Sequence, residues 1–208
     1  QSEVNVNEKW SNIDVVEHHP YLIDKGVHSY DLRQENGSLQ IPLFNVDGEM
    51  VNIQSINAKG EKRFTKGAEK KGCFYLLGEV TDTILFCEGY STGASIYEAT
   101  KIATAICFDS GNLKSVALEL GSKHPNAKLL VCGDDDIHNE VNTGRIKARE
   151  TATHVGGSVV FPVFDENVKG NPTDFNDLHQ LKGLSEVKKQ IYIAIHDTMG
   201  VKRKNSVL

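Results

Sequence analysis

Two short apolar runs break off abruptly into carboxylates: Ile84-Leu85-Phe86-Cys87 into Glu88-Gly89, and Leu129-Leu130-Val131-Cys132-Gly133 into Asp134-Asp135-Asp136. Continuous apolar runs of this length read as strands buried on both faces of a parallel sheet, and open α/β sheets bind ligands at the carboxyl ends of such strands. Around them the hydrophobic period alternates between two and 3.6. Strand 83–88 leads to a helix from about Thr92, with Gly93, Ile96, Tyr97 and Thr100 on one face. Strand 103–108 leads to a helix carrying Leu113, Val116, Ala117 and Leu120, and strand 127–132 leads through a polar loop to a helix with Ala148, Ala152 and Val155. Strand 158–161 follows, and Leu184, Val187, Ile191 and Ile195 mark one more amphipathic helix. The pattern predicts an α/β fold with a doubly wound, mainly parallel sheet and flanking helices.

Upstream the period is two. Leu39, Ile41 and Leu43 alternate, as do Val51, Ile53 and Ser55, with Asn45-Val46-Asp47-Gly48 between them as a hairpin turn. A second turn at 57–60 and a strand near Phe74-Tyr75-Leu76-Leu77 complete a small antiparallel β-rich module. His19 to Gly26 reads as a short helix with Pro20 in its first turn and Gly26 ending it. Residues 1–16, with the only tryptophan, Trp10, read as a loosely ordered lead-in. The expected divisions are the lead-in at 1–16, a small α+β subdomain at 17–78, an α/β domain at 79–165, an acidic segment and C-terminal helix at 166–200 completing the core, and a disordered tail at 201–208.

Composition narrows this little: 208 residues, 39% apolar and 25% charged, describe an ordinary globular chain. No stretch is apolar enough to span a bilayer and Gln-Ser-Glu-Val-Asn lacks the features of a signal peptide, so we expect a cytoplasmic protein without membrane contact. A chain beginning at Gln1 reads as a piece of something longer. Cys73, Cys87, Cys107 and Cys132 form no CxxC and read as buried reduced thiols. The net charge of −5 argues against a generic nucleic-acid coat. Its distribution matters more: Lys59, Lys62, Arg63, Lys66, Lys70 and Lys71 stand against Glu61 and Glu69, a local +4. Such a run is either a solvated hairpin or, beside an acidic metal site, the cations that a phosphate backbone or triphosphate requires.

If the two acid-ended strands are neighbours, Glu88 and the Asp134/Asp136 pair converge across 46 positions. Converging carboxylates repel unless a proton or cation intervenes, and a hard divalent ion, magnesium or manganese, is the usual solution. Asp109 sits in a strand-end turn with Ser110-Gly111, His138 reads as solvated, and Asp165 and Glu166 as loop charges.

Glu88-Gly89-Tyr90 followed by Asp134-Asp135-Asp136 resembles the TOPRIM signature, a glutamate after one strand and a DxD after another. Phe86 to Thr100 with Phe108-Asp109-Ser110-Gly111-Asn112-Leu113, the upstream Tyr21-Leu22-Ile23-Asp24-Lys25-Gly26-Val27, Lys71 to Gly78, and Thr173-Asp174-Phe175-Asn176-Asp177-Leu178 are similar to plasmid- and phage-borne primases, TraC-like enzymes and primase-helicase fusions. The resemblance covers roughly residues 17–198. It implies a TOPRIM domain at 79–165 and a nucleotidyltransferase that makes short primers on single-stranded DNA from nucleoside triphosphates. A helicase or other replication domain is implied in the same or a partner chain. It further implies Asp134 and Asp136 as metal ligands, with Asp135 the variable middle residue pointing away. Glu88 becomes either a metal-linked group or an acid/base near the reacting oxygen, and Asp174, or alternatively Asp177, a further acidic position for Mg2+ or Mn2+. Arg63, Lys66 and Lys71 would form a basic ridge for nucleotide or template phosphates, and Arg145 and Lys147 would reach phosphate from the helix after the DxD.

Two departures stand out. DnaG-type enzymes carry an aspartate four residues after the motif glutamate, where this chain has Thr92, which leaves ion number open. Ile137 to Asn142 intervenes between the DxD and the next helix. Nothing local marks a tyrosine as a topoisomerase nucleophile. Other readings are TOPRIM nuclease or nicking activity, and a non-catalytic nucleic-acid-binding module.

Overall fold

The computed structural model describes residues 6–204. The stretch expected to be a loose lead-in is instead built into the fold: α1 (Val6–Ser11) is followed by β1 (Asp14–Val15), which pairs antiparallel with β2 (Arg33–Glu35). The cause lies outside the stretch. The Arg33 guanidinium donates to the carbonyl oxygens of Trp10 and Ile13 and lies 4.9 Å over the Trp10 ring. α2 (Pro20–Lys25) begins at Pro20 and is closed by Gly26 at φ 63°, as expected, and His19 caps it: Nδ1 accepts from the Tyr21 N–H, which leaves the ring proton on Nε2 for Gly37 O at 3.0 Å.

β3 (Ser38–Phe44), β4 (Met50–Ile56) and β5 (Lys62–Phe64) complete an antiparallel sheet of order β1-β2-β3-β4-β5. Its two turns use one device. The Oδ1 atoms of Asn45 and Asn57 each accept the backbone N–H groups two and four residues on, while Gly48 and Gly60 take φ of 88° and 81°.

The second sheet has the order β10-β9-β7-β8-β6. It comprises β6 (Tyr75–Leu77), β7 (Thr83–Cys87), β8 (Thr104–Ile106), β9 (Lys128–Cys132) and β10 (Ser158–Val160). α3 (Tyr90–Thr100), α4 (Leu113–Lys123) and α5 (Thr143–Val155) connect them. All pairs are parallel except β6 with β8. The Phe74–Leu77 strand therefore does not complete the small module. Only Phe74 bridges to Phe44, and Tyr75–Leu77 pairs with β8, whose outer edge β7 leaves open. α3 starts at Tyr90, two residues before the expected position, directly after the N-cap Gly89.

β7 is central and buried along its whole length. Its alternate residues separate two cores: Ile84 and Phe86 join α4 and α5 through Leu113, Val116 and Ala148, and Leu85 and Cys87 join the other face. The acidic segment, to which the sequence reading gave no secondary structure, opens α6 (Phe175–Lys182), and α7 (Leu184–Lys204) follows. Phe175, Leu178, Val187 and Ile191 cover the second face together with Leu39, Ile41 and Leu43 of β3, so the two sheets share one hydrophobic cluster. Of the tail expected to be disordered at 201–208, α7 includes the backbone to Lys204, and 205–208 lie outside the described residues. The four cysteines are free and buried. Among the described residues no helix is long and apolar enough to cross a membrane.

Candidate functional site

The β7–β9 register decides what meets at the strand ends. Phe86 sits opposite Val131, so Glu88 comes level with Gly133 and Asp134 emerges one residue beyond. Close packing underneath fixes these exits. A Cβ on Gly93 would lie 2.5 Å from Ile106 Cγ1, and one on Gly133 would lie 2.6 Å from Ala148 Cβ and from Phe161 Cε1. α5 enters from the other side: a Cβ on Gly144 would stand 3.1 Å from Asp134 O and 3.4 Å from Glu88 Oε1. A glycine at this position brings the positive end of α5 against the Glu88 carboxylate and the Asp134 main chain.

Glu88 Oε1 and Asp134 Oδ1 are buried without a hydrogen-bond partner among the described residues. Burial, then Asp136, Asp109 and Asp174, push the Glu88 carboxyl up to about 7, with Lys62 opposing. Burial, then Glu88, Asp174 and Asp136, hold Asp134 well above the usual carboxylate range. Orphaned carboxylate oxygens are costly without a proton or cation. Among the described residues no three His, Cys, Asp or Glu side chains form a ready-made metal cage. The donor set is open, and this suits a small hard divalent ion, which binds one or two carboxylates and completes its shell with water and substrate phosphate.

The remaining acidic residues fall into three groups. Asp136 lies beside this pair, its N–H donating to Asn142 Oδ1 at 3.1 Å. Asp135 points elsewhere, its oxygens accepting from Arg145 Nη1 and from Asn142 Nδ2 at 2.6 Å. Asp174 is the N-cap of α6: Oδ1 accepts the Asp177 N–H at 2.8 Å and Oδ2 accepts the Thr92 hydroxyl at 3.1 Å. Asp177 reciprocates in a capping box and accepts from the Thr173 N–H. Asp109 accepts from the Asn112 N–H and pairs with Lys70, and His138 is exposed.

The basic residues divide by strand parity. On β5, Phe64 packs edge-on against Phe108 with centroids 6.1 Å apart, and Lys62 shares its face. Lys62 Nζ comes within 3.6 Å of where a Gly89 Cβ would be. It is therefore the basic side chain of this segment that faces Glu88 and Asp134, and the sequence reading did not single it out. Its signal was parity with Phe64. Arg63 occupies the opposite face of β5, while Lys66 and Lys71 are exposed on the segment beyond. Arg145 is paired with Asp135 and stacked 4.3 Å over Phe161, and Lys147 is exposed and paired with Glu150 at 3.0 Å. Gly144 and Asn142 were also passed over; a lone glycine inside a helix start was the available signal.

Tyr90 is fully buried, accepting from the Tyr30 N–H at 3.0 Å and donating to His28 O at 2.9 Å, and burial pushes its hydroxyl far up. It ties the start of α3 to the segment between α2 and β2.

A family model described as Toprim domain matches residues 83–185. DNA primase TraC of Escherichia coli is 36% identical over 220 residues, an alignment covering 95% of this chain and 20% of that protein. The chain thus spans about a fifth of this curated relative. The primase fragment of the bacteriophage T7 primase-helicase protein superposes with a TM-score of 0.56 at 16% identity, covering 82% of this chain and 69% of that one. The DnaG primase catalytic domain bound to ssDNA does so with a TM-score of 0.53 at 15% identity, covering 91% and 62%. At these identities the two structures speak for the fold alone; the family model makes residues 83–185 a Toprim domain, and the chain is similar in sequence to TraC over nearly its whole length.

Proposed function

We propose that this chain is the catalytic core of a DNA primase of the plasmid or phage type. It works in the cytoplasm, joining nucleoside triphosphates into short primers on single-stranded DNA, with a helicase or other replication domain in the same or a partner chain. The observation that carries the reading is the pair of buried, unpartnered oxygens, Glu88 Oε1 and Asp134 Oδ1, at adjacent strand ends of a Toprim domain.

Toprim primases typically work with a divalent cation; for this chain we assign Mg2+ or Mn2+, held by Glu88, Asp134 and Asp136, with Asp174 at the rim. When bound, the ion lowers the pKa of the attacking 3′-hydroxyl and offsets charge on the phosphates. Glu88 stands at the reacting centre either as a ligand of the ion or as the group that takes the proton leaving this hydroxyl. Lys62 lies on the phosphate side of the acidic pair and orients the triphosphate. Lys66, Lys71 and Arg63 extend that positive surface for nucleotide or template phosphates. Arg145 and Lys147 flank the N-terminus of α5, whose dipole favours an anion.

The test is a primer-synthesis assay on single-stranded DNA with labelled nucleotides and Mg2+ or Mn2+, comparing wild type with the Asp134→Ala/Asp136→Ala variant. Short products from wild type alone are expected. Equal products from both would overturn the site assignment.

A further inference from the structure

Between the DxD and α5 the chain makes a detour, Ile137 to Val141, whose own apolar side chains hold nothing in place. Ile137 and Val141 are each 64% exposed. What closes the detour is polar. Asn142 Oδ1 accepts two backbone N–H groups at 3.1 Å, those of Asp136 and Arg145, while its Nδ2 donates to Asp135 Oδ1. The other Asp135 oxygen takes Arg145 Nη1, and the Asp135 N–H donates to Thr173 O at 2.8 Å. The guanidinium lies on Phe161, whose ring edge fills the space against Gly133, the residue before the DxD. The ion pair is partly shielded, its side chains 14% and 37% exposed for Asp135 and Arg145, so it holds its geometry better than a surface pair.

We propose that Asp135 and Arg145 form a strut which, with Asn142, holds the DxD turn so that Asp134 and Asp136 face Glu88. Arg145 is then a positioning residue of the cation site. The inference rests on reading Glu88, Asp134 and Asp136 as that site. The physical logic is that of outer partners that orient first ligands, whose loss typically lowers metal affinity roughly 10–100-fold.

The sign of one effect separates this role from simple electrostatics. Removing a cation near an acidic cluster makes the cluster more negative, so on charge alone Arg145→Gln should tighten Mn2+ binding. A lost strut loosens it. Mn2+ alone, without nucleotide or DNA, is titrated into wild type, Arg145→Gln, Asp135→Asn/Arg145→Gln and Asp134→Asn, with free Mn2+ read by electron paramagnetic resonance and folding read by circular dichroism. We expect Arg145→Gln to bind roughly 10-fold more weakly, and the near-isosteric double variant, which removes both charges together, to bind more weakly as well. Binding as tight as or tighter than wild type in both, with binding lost in Asp134→Asn, overturns the strut. Wild-type binding by Asp134→Asn overturns the cation-site reading instead. If Arg145→Gln does not fold, the charge-balanced double variant decides.

Discussion

Thr92 donates its hydroxyl proton to Asp174 Oδ2 at 3.1 Å, joining the first turn of α3 to the N-cap of α6 across 82 positions of sequence. One carboxylate thereby orders two helix starts at the rim of the acidic site. Asp174→Ala removes both contacts and should lower unfolding free energy by about 1 kcal/mol or somewhat more, read by urea denaturation. Asp174→Asn keeps the cap and should stay near wild-type stability. It should weaken Mn2+ binding less than Asp134→Asn does, because both Asp174 oxygens already have donors. Equal loss in the two Asn variants would make Asp174 a full ligand.

The stability of the metal-free protein should fall with rising pH. Burial first, then neighbouring carboxylates, raise Glu88 from 4.5 to about 7, and Asp134 is raised in the same direction. The folded chain then keeps protons that the unfolded chain releases, so stability is lost as pH climbs from about 4.5 to about 7. Melting without divalent ions should occur at a lower temperature at about pH 7.5 than at about pH 5.5. Glu88→Gln should flatten this slope and Mn2+ should restore the loss at the higher pH. An unchanged slope in Glu88→Gln would contradict the assignment.

Lys62 and Arg63 are neighbours in sequence on opposite faces of β5. Lys62→Ala removes the positive charge opposing Glu88 and Asp134, so Mn2+ binding should tighten while KM for nucleoside triphosphate rises several-fold, on the order of 1 kcal/mol or more of lost phosphate contact. Arg63→Ala should leave KM for nucleotide nearly unchanged and weaken single-stranded DNA binding, measured by fluorescence anisotropy at fixed salt. Matching effects of the two variants would mean that the face assignment does not govern phosphate binding.

Gly133→Ala should destabilise by about 1–3 kcal/mol, because the added methyl needs space already filled by Ala148 and Phe161. The same shift displaces Asp134, so Mn2+ affinity should drop with stability. Thermal unfolding and Mn2+ titration of one sample check both, and unaltered melting would show that α5 can retreat without cost.

The sequence by itself determined what depends on short periods and local chemistry. Ile84–Cys87 and Leu129–Cys132 are apolar without interruption, so they had to be inner strands, and Glu88 and Asp134 follow them directly. Asn45 and Gly48, and Asn57 and Gly60, specify their turns within four residues, and His19, Pro20 and Gly26 bound α2. Tertiary structure alone decided matters of partner choice. Tyr75–Leu77 has the pattern of any strand, and only the open edge of β8 sends it to the parallel sheet. The lead-in becomes α1 and β1 because Arg33, far along the chain, supplies the donors. Lys62 rather than Arg63 faces the acids because pairing with β4 sets the parity of β5. Asp174 meets Thr92, and Gly144 meets Glu88, through packing of elements many residues apart. Residue type and local period report which face of an element is buried; which distant face it meets is a free-energy comparison over the whole chain that no local window contains.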